Sequence, residues 1–498
     1  MSEDGAGTIA FESGPGRWVL AIAVLGSGIA FLDGTVVNVA LPAIGRDLGA
    51  TTSELQWMLN GYLLSLASLI LLGGSLGDRH GRRRIFTIGV AWFTAASALC
   101  ALAPTAGALV AARFLQGVGG ALLTPGSLAM IEGSFRQADR ARAIGAWSGL
   151  TGVGAALGPL LGGWLVSAVS WRAVFLINLP LGAFVAFMAP RHVPETRDPR
   201  AAGRLDALGA VLAAIGLGGT TYALIEAPGG THAGAVVAAA VVGVLALVAF
   251  VLVERRVEHP MLPLSLFRNR QFSAANLVTV VVYAALGAVF FLLVAFLQIS
   301  MGWSPVEAGA AALPVTALML AFSARAGALA QRIGPRLPLT LGPLVIACGL
   351  LLMARISPGD SYVTSVLPAV VVFGLGLTLV VAPVTATVLA AAEARRAGIA
   401  SGINNAVSRV AGLFAVAVFP LIGGLTGDAF YDPAAMTHGF HTAMAAAAGL
   451  AALGGLIAWL TIDPHVLRPD EETPEFECPV CGAPLRAGHE AEHEPVRA

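Results

Sequence analysis

The sequence predicts an all-α polytopic membrane protein of fourteen transmembrane helices, arranged as two six-helix bundles with two extra linker helices between them. Three observations carry this. The first is composition: of 498 residues, 57% are hydrophobic and only 12% charged, with a mean hydropathy of +0.80, whereas a soluble domain carries roughly a quarter charged residues. The second is a series of fourteen apolar runs, each close to the about 20 residues that a bilayer-crossing helix requires. The third is that the arginines gather on alternate connections between those runs.

The runs lie at 17–41, 55–77, 85–103, 106–131, 142–168, 171–190, 205–226, 233–253, 272–300, 305–331, 337–356, 362–391, 398–426 and 439–462. Span 1 follows an acidic head (Glu3, Asp4, Glu12) and is too long for the apolar core of a signal peptide, so no cleavable signal is expected. Spans 2 and 3 are joined by Gly74-Ser75-Leu76-Gly77-Asp78-Arg79-His80-Gly81-Arg82-Arg83-Arg84. A short turn this basic stays cytoplasmic, because arginine resists translocation. Its glycines let two helix ends approach closely, and Asp78 can accept hydrogen bonds from arginines or helix-terminal N–H groups. Spans 5 and 6 meet at the tight turn Ser170-Trp171-Arg172. Cys100 and Cys348 fall within apolar runs and read as small buried hydrophobes.

The arginines test this order. With the N-terminus inside, cytoplasmic connections hold Arg79, Arg82, Arg83, Arg84, Arg136, Arg140, Arg142, Arg191, Arg197, Arg200, Arg204, Arg255, Arg256, Arg268, Arg270, Arg332, Arg336, Arg395 and Arg396. Outer connections hold Arg46, Arg172 and Arg355. Miscounting by one span would scramble that asymmetry, so both termini are expected in the cytoplasm.

An internal repeat divides the chain. Gly74-Ser75-Leu76-Gly77-Asp78-Arg79-His80-Gly81-Arg82-Arg83 returns as Gly327-Ala328-Leu329-Ala330-Gln331-Arg332-Ile333-Gly334-Pro335-Arg336, and Pro159-Leu160-Leu161-Gly162-Gly163 as Pro420-Leu421-Ile422-Gly423-Gly424. Spans 1–6 and 9–14 thus read as two related bundles repeated about an axis along the membrane normal. The expected division is 1–190, an N-terminal bundle; 191–271, two additional helices with their linkers; 272–462, a C-terminal bundle; and 463–498, a cytoplasmic tail. Two bundles with a cleft between them can rock, which alternating access requires.

On these motifs the chain resembles the major facilitator superfamily, and within it the fourteen-helix drug:proton antiporters. The loop from Gly74 to Arg84 matches the signature between helices 2 and 3. Leu32-Asp33-Gly34-Thr35-Val36-Val37-Asn38-Val39-Ala40-Leu41-Pro42 is similar to the first-helix motif of that branch. Arg113-Phe114-Leu115-Gln116-Gly117-Val118-Gly119 matches the fourth-helix motif, whose arginine the family uses in proton coupling. Gly154-Ala155-Ala156-Leu157-Gly158-Pro159-Leu160-Leu161-Gly162-Gly163 resembles the fifth-helix antiporter motif, and Trp171 to Pro180 is typical of the branch. The resemblance implies the major facilitator fold and cleft-lining positions for spans 1 and 4. The second copy of the loop departs from the pattern, with Gln331 in place of the aspartate, and spans 10 and 12 carry no mid-membrane carboxylate.

Ionisable groups inside a bilayer are costly and mark function. Asp33 and Arg113 each lie about 12 Å from the outer end of their spans at 1.5 Å per residue. We expect Asp33 to bind the coupled proton, balanced between burial and the Arg113 charge; the competing reading is a static ion pair. Gly154, Gly158, Pro159, Gly162 and Gly163 form a pliable helix face that limits proton leak, or else simple close packing. Substrate contacts should be apolar or aromatic with a few polar groups; the candidates are Asn38, Trp57, Asn60, Tyr62, Gln116, Tyr283, Phe290, Phe291 and Gln298. Arg325 reads as a snorkelling interfacial residue, and Arg409 as either structural or cleft-lining.

In the tail, Cys478-Pro479-Val480-Cys481 resembles half a zinc ribbon, and His489 and His493 stand one helical turn apart. The four side chains suffice for one tetrahedral zinc; the alternative is a plain flexible tail. Metal analysis of a tail peptide decides between them.

All 29 basic residues are arginine, so Schiff-base chemistry and a phosphate-binding Gly-x-x-x-x-Gly-Lys loop are excluded. A formal net charge of zero offers no field for nucleic acid. The function expected is proton-driven export of small amphipathic drug-like compounds or a natural product across the cell membrane. It needs no cofactor beyond the zinc the tail could take. The partners expected are a small-molecule substrate, protons and the lipid bilayer, for a monomeric protein. The alternatives are a specific metabolite or lipid transporter and a metal-responsive sensor. An enzyme would need a cluster of His, Asp and Ser at one membrane face, and the sequence offers none.

Overall fold

The computed structural model describes residues 9–197, 206–230, 232–257, 260–392, 396–467, 476–477 and 484–485. Fourteen of its helices are long and apolar enough to cross a membrane: α1 Gly14–Leu48, α2 Thr52–His80, α3 Arg82–Leu102, α4 Ala106–Ser134, α5 Gln137–Ala168, α6 Ala173–His192, α7 Ala207–Gly229, α8 Ala233–Glu254, α9 Arg270–Ile299, α10 Pro305–Ile333, α11 Arg336–Met353, α12 Tyr362–Ala390, α13 Gly398–Ile422 and α14 Pro433–Thr461. They correspond one to one with the fourteen apolar runs. Inside lipid every backbone group must be paired within the chain, and a helix does this by itself.

Local chemistry sets the ends. Ser13 caps α1 by accepting from the Gly16 N–H, and Gly49 closes the helix in the left-handed conformation. Capping boxes of Thr51 with Glu54 and of Ser304 with Glu307 start α2 and α10. Asn269 and Asp432 cap α9 and α14.

The repeat seen in the sequence recurs in the packing. In the first six helices α1 packs on α5, α2 on α4, and α3 on both α4 and α6. In the last six, α9 packs on α13, α10 on α12, and α11 on both α12 and α14. The two copies of the basic loop also turn alike. Gly81 has φ +106 and Gly334 φ +87, and each backs onto the segment that follows its own bundle's last helix: Glu195 after α6, Pro464 after α14. A side chain at either would be strained by φ and short of space.

The two sets of helices meet along α2 with α13, α5 with α10, and α1 with α9. Helix α7 lies across one of these seams, touching both α2 and α13, where Leu217 packs with Leu64, Ala67 and Leu413. Helix α8 packs on α7 and is largely exposed, the surface expected of a helix that faces lipid. In the tail, Phe476–Glu477 pairs antiparallel with Pro484–Leu485. The zinc candidates Cys478, Cys481, His489 and His493 lie outside the described residues.

Candidate functional site

Four helices of the first bundle converge on Asp33. Its side chain is fully enclosed, as is that of Arg113, and the Arg113 Nη1 donates to Asp33 Oδ2 at 2.5 Å. The other carboxylate oxygen accepts from Gln116 Nε2 at 2.8 Å and from Asn178 Nδ2 at 3.2 Å. Ser97 on α3 accepts from the same two amides, at 2.7 and 3.2 Å. Arg113 is held from behind. Its Nε donates to the Met58 carbonyl at 2.8 Å, and its guanidinium carbon stands 4.5 Å from the Tyr62 ring centroid. Both oxygens of Asp33 only accept, which is the hydrogen-bonding pattern of the ionised carboxylate.

The equal depths inferred for Asp33 and Arg113 are therefore realised as direct contact. Gln116 stands in this cluster, and so does Asn178, which sequence reasoning left without a role. Ser97 carried no signal: a lone serine in an apolar run does not announce its neighbours.

Four hydrogen bonds tie the two sets of helices at the arginine-poor end. Tyr431 Oη donates to the Ala50 carbonyl at 2.7 Å and Thr52 Oγ1 to the Gly427 carbonyl at 2.7 Å. Gln56 Nε2 donates to the Val416 carbonyl at 2.9 Å, and Gln298 Nε2 to the Val39 carbonyl at 3.0 Å. Burial pushes the Tyr431 phenol up to about 12, so this donor keeps its proton throughout the physiological range. Beside these bonds α5 and α10 touch backbone to backbone. A Cβ on Gly163 would come within 2.7 Å of the Val306 Cα, and one on Gly309 within 2.9 Å of the Pro159 carbonyl carbon. Toward the arginine-rich end Ser148, Gly149 and Leu150 of α5 and Leu320, Ala321 and Phe322 of α10 are exposed, and a Cβ on Gly152 would meet the Leu320 side chain at 3.8 Å, an ordinary contact rather than a backbone clash. The structure is sealed at one end.

The loop from Gly74 to Arg84 is a clasp within the first bundle. Arg82 Nε donates to Asp78 Oδ1 at 2.8 Å and Arg82 Nη1 to the Ala129 carbonyl on α4 at 3.1 Å. The Arg83 N–H donates to Glu195 Oε1 at 3.1 Å, and its guanidinium reaches the Val193 carbonyl at 3.0 Å. Gly74 lies against Pro125 and Gly77 against Arg82. Arg79 makes no hydrogen bond or ion pair among the described residues. Replacing Gly81 with alanine forces a side chain into a backbone region nearly reserved for glycine, at a cost of about 1–3 kcal/mol. A lowered thermal unfolding midpoint of the detergent-solubilised protein is the expected outcome.

The remaining candidates scatter. Trp57 turns toward α7, its Nε1 donating to Glu226 at 3.0 Å, and Ser53 bonds the same carboxylate. Asn38 donates to the Gly34 carbonyl of its own helix at 3.0 Å. Asn60 is fully buried, with neither side-chain polar atom paired. Tyr283 and Phe290 are half-buried on α9, while Phe291 is enclosed beside Phe430. Gly158 and Gly162 admit α1 closely, at Thr35 and Val36, and Gly154 faces open space. Arg325 is exposed beside Phe322.

Comparison with known proteins agrees with this architecture. The Major Facilitator Superfamily profile matches residues 23–416. The puromycin resistance protein pur8 of Streptomyces alboniger is 37% identical over 471 residues, covering 92% of this chain and 93% of its own. The tetracenomycin C resistance and export protein of Streptomyces glaucescens is 37% identical over 424 residues, covering 84% and 78%. Among solved structures, the POT family transporter PepTSo superposes with a TM-score of 0.65 at 16% identity, covering 89% of this chain and 97% of that one; at that identity it speaks for the fold alone. A fourteen-helix chain that repeats one six-helix packing scheme and matches this profile along most of its length belongs to the Major Facilitator Superfamily, among relatives named for antibiotic resistance and export, and is a membrane transporter rather than an enzyme.

Proposed function

We propose that the protein exports small amphipathic compounds, of the kind its relatives' names record, in exchange for protons. The observation that carries the reading is the Asp33–Arg113 pair. It is an intramembrane carboxylate whose charge is balanced by one partner, placed on the helix that also packs against α5 and α9. An ion pair buried this deeply is a poor way to add stability, and intramembrane ionisable groups mark proton relays.

The arginine distribution supports a cytoplasmic side for both termini and for the exposed ends of α5 and α10. On that orientation the end tied by the four cross-bundle hydrogen bonds is the external one. In this state Asp33 is locked to Arg113, out of reach of water. Rocking of the bundles moves α1 relative to its neighbours. Widening the Asp33–Arg113 separation favours protonation of the carboxylate, and restoring it expels the proton. Export follows if the proton enters from outside and leaves inside while cargo moves the other way.

A gradient of one pH unit is worth about 1.4 kcal/mol per proton, or about a tenfold cargo gradient at one-to-one exchange. Proteoliposomes with an imposed pH step test this against a panel that includes puromycin. Cargo movement indifferent to the step contradicts the reading. Removing the residues beyond 467 is expected to leave transport within about twofold of wild type, because the tail lies outside the fourteen helices; loss of transport would favour the sensor reading instead.

A further inference from the structure

The charges at mid-membrane do not cancel. Asp33 and Arg113 neutralise each other, and Arg409, near the centre of α13, is left over. Its guanidinium carbon stands 5.4 Å from the Phe31 ring centroid on α1, in the opposite bundle. Arg409 is half-buried, and among the described residues it has no carboxylate and no hydrogen-bond partner. A ring face satisfies none of the five N–H groups of a guanidinium.

The neighbours show which way it faces. Asn404 turns to α9, donating to Thr279 Oγ1 at 2.8 Å and facing Asn276 Oδ1 at 3.2 Å. Asn405, one turn before Arg409 on the same face of the helix, is exposed. An exposed amide and an unpaired guanidinium, stacked between the bundles and bordered by Phe31, with Ser408 and Tyr283 close by, form a polar stripe in the cleft between the bundles.

Resting on the reading that this cleft carries cargo, we infer that Arg409 is the subsite for an oxyanion on the cargo, a carboxylate or a group of similar planar shape. A guanidinium grips such a group through two parallel N–H···O bonds, which ammonium cannot copy. Asn405 supplies a further donor, and Phe31 an apolar face for the attached ring system. The preferred cargo is an aromatic or alicyclic acid. A cation meets an uncompensated positive charge at the middle of its path.

Two xanthene dyes of similar shape and opposite charge, fluorescein and rhodamine 123, test this in proteoliposomes carrying wild type, Arg409→Gln or Arg409→Lys. Wild type should move fluorescein in preference. Arg409→Gln should lower the fluorescein-to-rhodamine flux ratio by about tenfold or more, the loss of one charge-assisted contact, while its rhodamine flux, unchanged or raised, shows that the variant is folded and coupled. Arg409→Lys should fall between. An unchanged ratio, a parallel loss of both fluxes, or a wild type that prefers rhodamine overturns the assignment. Movement of neither dye by wild type contradicts the export reading itself, and this inference with it.

Discussion

Asp33→Asn is expected to uncouple export from the proton gradient. In the folded protein the asparagine can still accept from Arg113, and its amide can turn among Gln116, Asn178 and Ser97, so the cluster keeps most of its contacts. What it loses is the ability to exchange a proton. Cargo accumulation driven by one pH unit should fall by about tenfold, to the unpowered level. Exchange of labelled for unlabelled cargo with no gradient should continue, because rocking and binding remain. The reverse experiment, Arg113→Ala, strands a carboxylate in a dry site. Breaking a buried pair from one side costs about 3–5 kcal/mol, so that variant should be recovered in low yield unless Asp33 is replaced with it. A double variant no more stable than Arg113→Ala alone would show that the two residues do not act as a pair.

Gly309→Val is expected to prevent the arginine-poor end from closing. The valine Cβ would meet the Pro159 backbone, which has no rotamer by which to yield. Overpacking of this kind costs about 1–3 kcal/mol. On the rocking-bundle reading the contact is made only in the sealed state, and that cost then shifts the open-to-sealed ratio by about 5–150-fold. Gln298, whose amide bridges to Val39 across the seal, reports on it when changed to cysteine in a background lacking Cys348, which the structure exposes on α11 rather than burying as its apolar run leads one to expect. Labelling by a membrane-impermeant maleimide from outside should be slow in that background and fast once Gly309→Val is added, with export lost. Unchanged labelling would mean that α5 and α10 do not form the gate.

The fold was legible because the bilayer imposes a one-dimensional code. Each span had to be apolar over its length, and the arginines marked alternate ends, so all fourteen helices could be placed from the chain. The two basic loops could be matched because Gly81 and Gly334 both sit where backbone geometry excludes other residues. Asp33 and Arg113 could be paired because their depths agreed. Other partners could not be found this way. Ser97 and Asn178 are neutral and single, and nothing in their spacing points to a carboxylate on another helix. Trp57 resembled a cargo contact because an aromatic on a membrane helix is ambiguous; its use against Glu226 depends on α7 lying across the seam, a tertiary fact. Gln56 and Gln298 became seal residues only in a conformation closed at one end, and a sequence encodes every state of a rocking machine at once.

Proton release on cargo binding tests the central claim most directly. Purified protein in lightly buffered detergent, with a pH-indicator dye, should discharge protons into solution when a transported compound is added, and Asp33→Asn should discharge none while still binding it. Equal proton release from wild type and Asp33→Asn would contradict the account.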